Sequence, residues 1–208
     1  MFDILLRDIL IKLRMEELMS RQPKTILTPE EYLAIERRAE YKSEYLHGEM
    51  FAMVGASRKH NLIAGNVFGE LREQLKGKSC EAYTNDMRVK VSSTGLYTYP
   101  DVVVVCGEPQ FEDSYIDTLL NPTLLVEVLS ESTESYDRGK KSGFYRTIDS
   151  LAEYLLVAQD EYRVEQYVKQ GDGRWLLTDI HSLDSVVELN SIECRLALKD
   201  VYDRVILP

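Results

Sequence analysis

Two short apolar runs, each with a carboxylate set in or against it, constrain this chain more than any other feature. Asp101 stands directly before Val102–Cys106, a run of four valines and a cysteine. Such a β-branched run is typical of a strand that is buried on both faces. Glu127 lies inside Leu124–Val128, between two valines. Because a buried carboxylate costs free energy unless it is paired or binds a cation, the sequence predicts two buried strands whose acidic residues need a positive partner.

A divalent metal ion is the simplest such partner. Two converging carboxylates repel each other unless positive charge lies between them, and oxygen ligands suit magnesium or manganese better than zinc. A lysine follows Glu127 by 14 positions (141 − 127), far enough to lie on the next helix. The residues alone leave a second interpretation of Lys141, as an exposed helix pair with Asp137 four positions before it.

The order of these residues resembles a known signature. Pro100-Asp101, a strand, Glu127 and a lysine resemble the PD-(D/E)xK pattern of restriction-endonuclease-like nucleases. The chain also resembles, over about residues 28–205, a bacterial family of proposed endonucleases, Uma-two. The matching stretches are 28–32, 44–53, 57–60, 86–89, 100–105, 126–133, 137–145 and 153–154. The signature places its lysine where this chain has Leu129, so the resemblance implies that the lysine has moved to the next helix.

The resemblance implies both a fold and a function. The fold is an α/β, restriction-endonuclease-like mixed central sheet flanked by helices. The function is metal-dependent hydrolysis of phosphodiester bonds in nucleic acid, above all DNA, with Mg²⁺ or Mn²⁺ as cofactor, by a homodimer.

The resemblance also implies a set of site residues. The expected catalytic residues are Asp101, Glu127, Lys141, Glu44 and His60, and the expected metal ligands are Asp101, Glu127 and the main-chain carbonyl of Val128. Lys140 stays open as an alternative, although the family spacing from Asp137 and Tyr145 favours Lys141. From the residues alone, a histidine at position 60 is more often a satisfied core residue than a catalyst, and Glu44 fits an exposed strand carboxylate at least as well as a site residue.

Charge is the main observation against a nucleic-acid partner. The chain has 25 Lys and Arg against 35 Asp and Glu, a net charge of −10, whereas many nucleic-acid-binding domains are basic. A bound metal would neutralise an acidic cluster, and a local basic rim is available from Arg58, Lys59, Lys76, Lys78, Arg138, Lys140 and Arg146. The chief alternative is therefore a nuclease-fold binding or regulatory module with a weak or lost metal site. A metal-free carboxylate hydrolase is less favoured.

Cysteine usage and hydropathy predict a cytoplasmic protein. Cys80, Cys106 and Cys194 are odd in number, widely spaced and without a CxxC pair. This pattern favours reduced thiols over disulfides or zinc ligands. No apolar run approaches the roughly 20 residues that span a bilayer, and no signal-peptide pattern is evident, so no membrane association is expected.

Periodicity predicts the element order. Residues 1–22 are expected to form an N-terminal helical extension and residues 23–208 one domain. Within it we expect a helix capped by Thr28, a hairpin turning at His47-Gly48 and a long helix over about residues 56–76. Further along, the pattern predicts a strand over 81–91, a polar loop over 107–122, a helix from Ser132 or Thr133 to about residue 148, and strands over 153–158, 163–169 and 175–178.

Overall fold

Three β-sheets form the framework of this computed structural model, which describes residues 26–131 and 133–207. The predicted extension over residues 1–22 lies outside the described residues, as does Ser132. The α-helices are α1 (Pro29–Glu36), α2 (Arg58–Gln74), α3 (Glu134–Tyr136), α4 (Ser142–Tyr145) and α5 (Leu198–Val201), with a π-helix, Asp137–Lys141, between α3 and α4. The strands are β1 (Ser43–Leu46), β2 (Glu49–Ala52), β3 (Cys80–Thr84), β4 (Arg88–Val91), β5 (Leu96–Thr98), β6 (Val102–Cys106), β7 (Thr118–Leu119), β8 (Leu124–Val128), β9 (Glu153–Val157), β10 (Val164–Lys169), β11 (Trp175–Ile180), β12 (Val186–Leu189) and β13 (Cys194–Ala197).

The sheets are mixed, which confirms the predicted α/β class. A six-stranded sheet has the order β11-β10-β9-β8-β6-β3, and a five-stranded sheet has the order β2-β1-β5-β4-β7. Each contains one parallel pair, β8 with β9 and β4 with β7, among antiparallel neighbours. Strands β12 and β13 form a separate hairpin. No helix among the described residues is long and apolar enough to cross a membrane.

The six-stranded sheet separates two hydrophobic cores, and its strands β6 and β8 are buried on both faces. Alternate side chains of β6 enter opposite cores: Val102 and Val104 pack on the side of α2, and Val103 and Val105 on the side of α4. Strand β8 alternates in the same way. Glu127 therefore faces the α4 side, where its neighbours Leu125 and Leu129 are core residues.

Local sequence signals near the N-terminal half form as predicted. Thr28 and Glu31 make a reciprocal capping box at the start of α1. The β1–β2 hairpin turns at His47 and Gly48, both with positive φ, and a Cβ on Gly48 would collide with the Ile26 side chain. Ser57 caps α2 by accepting a hydrogen bond from the main-chain N–H of His60 (3.1 Å).

The single strand predicted over residues 81–91 is wrong. The chain turns at residues 85–87 and continues as β4 in the other sheet, so β3 and β4 belong to different layers. The loop over 107–122 is also more ordered than its polar sequence suggests. It contains β7, and Asp117 in it contacts the guanidinium groups of Arg37 (2.7 Å) and Arg88 (2.9 Å). These contacts fix the loop to α1 and β4.

The expectation that all cysteines are reduced is wrong for two of them. Cys80 and Cys106 are paired residues of β3 and β6 and form a disulfide. Cys194 is free and buried. Because stable disulfides are rare in reducing compartments, the argument from reduced thiols to a cytoplasmic location no longer holds.

Candidate active site

The two acidic residues of the signature are brought opposite each other because β6 and β8 are antiparallel neighbours. Val102 pairs with Val126, and continuing this register by one residue brings Asp101 to Glu127. The main-chain N–H of Val128 donates a hydrogen bond of 2.7 Å to Oδ2 of Asp101. The end of β8 thus holds the Asp101 carboxylate directly.

His60 contacts the same carboxylate from the first turn of α2. Its Nε2 lies 3.2 Å from Oδ2 of Asp101, and both side chains are largely buried. Burial opposes the charged imidazole, but the Asp101 carboxylate and the Val128 carbonyl outweigh it and raise the pKa of His60. His60 therefore faces two of the three groups that were predicted as metal ligands.

Glu127 is buried among polar partners on the α4 side of the sheet. Its Oε1 accepts a hydrogen bond of 2.6 Å from the Tyr145 hydroxyl and lies 2.8 Å from Nζ of Lys141. Burial raises the pKa of Glu127, against the opposing effect of Lys141. The carboxylates of Asp137 and Asp101 raise it further. Unless a cation binds in addition to Lys141, the Glu127 carboxyl is therefore held toward its neutral, protonated form.

Lys141 is the cation at the centre of the cluster. Its Nζ lies 2.9 Å from Oε1 of Glu44 and 3.6 Å from Oδ1 of Asp137, in addition to its contact with Glu127. Lys141 is 5% exposed and Asp137 is 3% exposed, so the alternative of an exposed helix pair is wrong. Lys140, in contrast, is exposed and lies over the Phe144 ring.

Glu44 is held in the cluster from the neighbouring sheet. It lies in β1, where the Thr98 hydroxyl of β5 donates a hydrogen bond to Oε1. Its side chain is 13% exposed, which excludes the alternative of an exposed strand carboxylate. The cluster thus joins both sheets with the helical segment that carries Lys141.

The π-helix sets the direction of Lys141. The main-chain N–H of Ser142 donates to the carbonyl of Asp137, five residues earlier, whereas an α-helix closes over four. The hydrogen-bonded turn that starts at Asp137 therefore contains one residue more than an α-helical turn, directly before α4 begins. Such π-turns are frequent at functional sites. Here the turn buries both Asp137 and Lys141 and leaves Lys140 and Gly139 exposed.

Sequence reasoning did not assign Asp137, Tyr145 or Thr98 to the site. Asp137 and Tyr145 lie four residues before and four after Lys141. A spacing of four predicts that these side chains share one face of a helical segment with Lys141. It was the signal in the sequence that could have assigned Asp137 and Tyr145 to the site. No comparable signal marks Thr98, because its approach to Glu44 depends on the order of strands in the five-stranded sheet.

The charges of the cluster fit a divalent cation. Its ionisable side chains are the carboxylates of Asp101, Glu127, Glu44 and Asp137, with Lys141 and His60 as cations. Four ionised carboxylates would exceed at most two positive charges by at least two, so full ionisation, which the raised pKa of Glu127 opposes, needs a further cation. Within residues 26–131 and 133–207, no three His, Cys, Asp or Glu side chains form a metal-binding group by themselves. The predicted set, two carboxylates and a main-chain carbonyl, consists of oxygen donors that suit magnesium or manganese.

Two grooves lie along α2. One of about 360 Å³ adjoins the His60 end and is lined by Ser57, Arg58, Lys59, Leu129, Ser130, Glu131, Glu134, Gln159 and Asp160. A larger one, about 590 Å³, lies at the other end of α2, against β12, β13 and α5. The larger groove shares no residue with the acidic cluster. The chemistry of the cluster therefore does not involve this groove, although it is the larger of the two.

Comparisons with known proteins found a matching family model and similar proteins. A family model described as "Uma2: Putative restriction endonuclease" matches residues 29–199. Two proteins of Synechocystis sp. (strain ATCC 27184 / PCC 6803 / Kazusa) are similar. "Uncharacterized protein sll1609" is 42% identical over 165 residues, which cover 79% of this chain and 93% of that protein. "Uncharacterized protein slr1290" is 38% identical over 176 residues, which cover 85% and 91%.

A solved structure shares the fold. It is the crystal structure of "a putative nuclease belonging to DUF820" from Anabaena variabilis ATCC 29413, with a TM-score of 0.70 and 20% sequence identity. The match covers 86% of this chain and 99% of that chain.

Proposed function

Because this chain belongs to the Uma2 family, we propose that it is a metal-dependent endonuclease that hydrolyses phosphodiester bonds in nucleic acid, with DNA as the first substrate to test. The observation that carries the proposal is the position of Lys141, buried between Glu127 and Glu44 at the centre of an acidic cluster. A buried cation among converging carboxylates is costly to build and is typical of a functional site.

The metal would be held by Asp101, Glu127 and the main-chain carbonyl of Val128. When bound, Mg²⁺ or Mn²⁺ polarises a phosphate oxygen and lowers the pKa of a coordinated water. His60 keeps Asp101 oriented through its Nε2 contact. Tyr145 does the same for Glu127 through its hydroxyl. Both carboxylates are thus positioned before any ligand arrives.

Lys141 acts as a cation and hydrogen-bond donor in this scheme. Its own burial favours the neutral amine, but Glu127, Tyr145, Glu44 and Asp137 together raise its pKa. It therefore stays protonated beside these groups, orients the attacking water and offsets the negative charge that develops on the phosphate in the transition state. Glu44 holds the ammonium in place from β1.

A binding or regulatory module on the same fold is the second candidate. The net charge of −10 favours it, because an acidic protein gains little long-range attraction to a polyanion. We also propose that the protein forms a homodimer, whichever of the two functions it has. Light scattering of the purified protein tests this directly.

A plasmid-nicking assay separates the two candidates. Supercoiled DNA is incubated with the protein in magnesium, manganese or chelator, and open-circular product is quantified. We expect nicking in either metal, none in chelator, loss of nicking in Asp101→Asn and Lys141→Met, and retention in Lys140→Met. Nicking that survives Asp101→Asn would indicate a contaminating nuclease. Absence of both nicking and metal binding would favour the second candidate.

A further inference from the structure

An exposed aromatic ring lies beside the acidic cluster. In the β1–β2 hairpin Phe51 is the direct partner of Glu44, and directly opposed residues of antiparallel strands project from the same face, with Cβ atoms about 5 Å apart. The face is the one from which Glu44 reaches Lys141. Phe51 nevertheless remains 49% exposed, because β2 is the edge strand of its sheet.

The segment that starts at Phe51 borders the site at both of its ends. Nine residues later it reaches His60, whose Nε2 contacts Asp101. Between these ends Val54 is 80% exposed and Arg58 is exposed. Residues 51–60, called the rim below, therefore join two points beside an acidic cluster and carry exposed apolar and basic side chains, among them Phe51, Val54 and Arg58. A second aromatic residue, half-buried Tyr136, lies near the same Glu44: burial first, and then the Glu44 carboxylate, raises its pKa to about 12.

This rim offers a source of affinity for nucleic acid other than long-range charge attraction, which the net charge of −10 makes weak. Stacking of a base on an aromatic ring does not depend on net charge and tolerates any sequence. A base inside a duplex is already stacked and offers only its edge in a groove. An exposed ring can therefore engage only bases that are unpaired or turned out of the helix.

We propose that Phe51 stacks on an unpaired base next to the scissile phosphate, so that the protein selects single-stranded or locally unpaired nucleic acid over intact duplex. The inference rests on the proposed nuclease function and specifies its substrate. Arg58, further along the same rim, contacts the adjoining phosphate. The ring itself is a binding residue and takes no part in the bond-breaking step.

Binding to labelled oligonucleotides tests the proposal. Fluorescence anisotropy in calcium compares a single strand, the duplex of the same sequence, and a strand of abasic units. Phe51→Ala should weaken single-strand binding about tenfold, the loss typical of one base–aromatic stack, with less than twofold change for the duplex. Phe51→Trp should retain binding. The abasic strand should bind wild type and Phe51→Ala equally, since it has no base to stack.

The matched control is Leu176→Ala, which removes an apolar side chain of similar exposure (55%) from the edge strand β11 of the other sheet. It should change none of these affinities. Equal binding of single strand and duplex by wild type, an equal effect of Phe51→Ala on both, or failure of Phe51→Trp to bind would overturn the stacking role while nicking activity leaves the nuclease proposal intact. A protein that neither binds nor nicks any of these substrates overturns both.

Other occupants of the ring give distinct results. If Phe51 packs against a second copy, Phe51→Ala lowers the mass measured by light scattering. If it packs against residues 1–25 of its own chain, Phe51→Ala lowers the melting temperature by more than about 4 °C relative to Leu176→Ala. Either result overturns the proposal.

Discussion

The ammonium of Lys141 lies 2.8 Å from Oε1 of Glu127, and both side chains are almost fully buried. The two residues come from a strand and from the helical segment that follows it, so their contact fixes that segment on the sheet. The same ammonium serves Glu44 and Asp137. One positive charge thus satisfies three buried carboxylates, and changes at this position should be measurable in stability as well as activity.

Lys141→Met should destabilise the protein by about 3–5 kcal/mol near neutral pH, since it leaves buried carboxylates without their cation. The loss should shrink as the pH falls from about 9 to 5, because the pKa of Glu127 is raised to about 8 and that of Asp137 is raised as well, so both take up protons as the pH falls. It should shrink again in manganese, because metal binding is retained. Urea unfolding measures all three values. Lys140→Met is the matched control and should stay within about 0.5 kcal/mol of wild type. A larger effect of Lys140→Met would mean that the wrong lysine has been assigned.

Magnesium or manganese should raise the melting temperature. A ligand at 100 times its dissociation constant stabilises the native state by about 2.7 kcal/mol, which corresponds to roughly 5–10 °C for a chain of this length. Asp101→Asn should abolish most of this shift. Asp86→Asn, at a side chain that is 83% exposed, should keep it. Calorimetry that detects no heat of binding at millimolar metal would remove the basis of the metal-dependent mechanism.

Asp117 should make the protein sensitive to acid. The guanidinium of Arg37, and then that of Arg88, hold the pKa of Asp117 well below its ordinary value of 3.8. A carboxyl with a lowered folded-state pKa adds stability above its unfolded pKa and loses it as the pH falls through the folded value. Asp117→Asn should therefore cost about 1.5–3 kcal/mol at pH 7, as expected for hydrogen bonds to charged groups, and progressively less below pH 4. Equal losses at pH 7 and pH 2 in urea titrations would contradict this account.

Thiol counting should reveal the Cys80–Cys106 bond. In denaturant without reductant we expect one reactive thiol, that of Cys194, and three after reduction. Reduction should lower the free energy of unfolding by up to about 3 kcal/mol, the typical worth of a disulfide that closes a loop of this order. Three reactive thiols in protein purified without reductant would show that β3 and β6 pair without the covalent bond.

Salt should weaken nucleic-acid binding only mildly. Each neutralised phosphate contributes about −0.9 to the slope of log affinity against log salt, and the rim beside the site offers few cations. In anisotropy titrations with calcium, Arg58→Ala should make the slope shallower by about 0.9, the contribution of one phosphate contact. A steep slope that persists without metal would indicate a basic groove elsewhere on the surface.

The sequence predicted the elements that depend on near neighbours. The capping box at Thr28, the turn at His47-Gly48 and the buried strand β6 each follow from a few adjacent residues. The break at residues 85–87 was missed because alternation continues on both sides of it, and only the Asn85-Asp86 pair signals a turn.

What the sequence could not supply depends on register between distant segments. The Cys80–Cys106 bond requires that β3 pair with β6 in one register, which spacing along the chain does not encode. Thr98 reaches Glu44 for the same reason, through the strand order of the five-stranded sheet. The resemblance to a known family, rather than any local pattern, brought Glu44 and His60 into consideration.

The π-turn at Asp137–Lys141 changes how the relatives of this chain should be aligned. A π-turn is equivalent to one residue inserted into an α-helix, and each residue of an α-helix turns the chain by about 100°. A relative that lacks the insertion would show a one-residue gap here and could still aim its lysine at the same pair of acids. A relative with a lysine in the same alignment column but a regular helix would aim it elsewhere. Active and inactive members are therefore best distinguished by whether the lysine ammonium can reach the carboxylate that corresponds to Glu127 on β8. A lysine in the same alignment column is not a sufficient criterion.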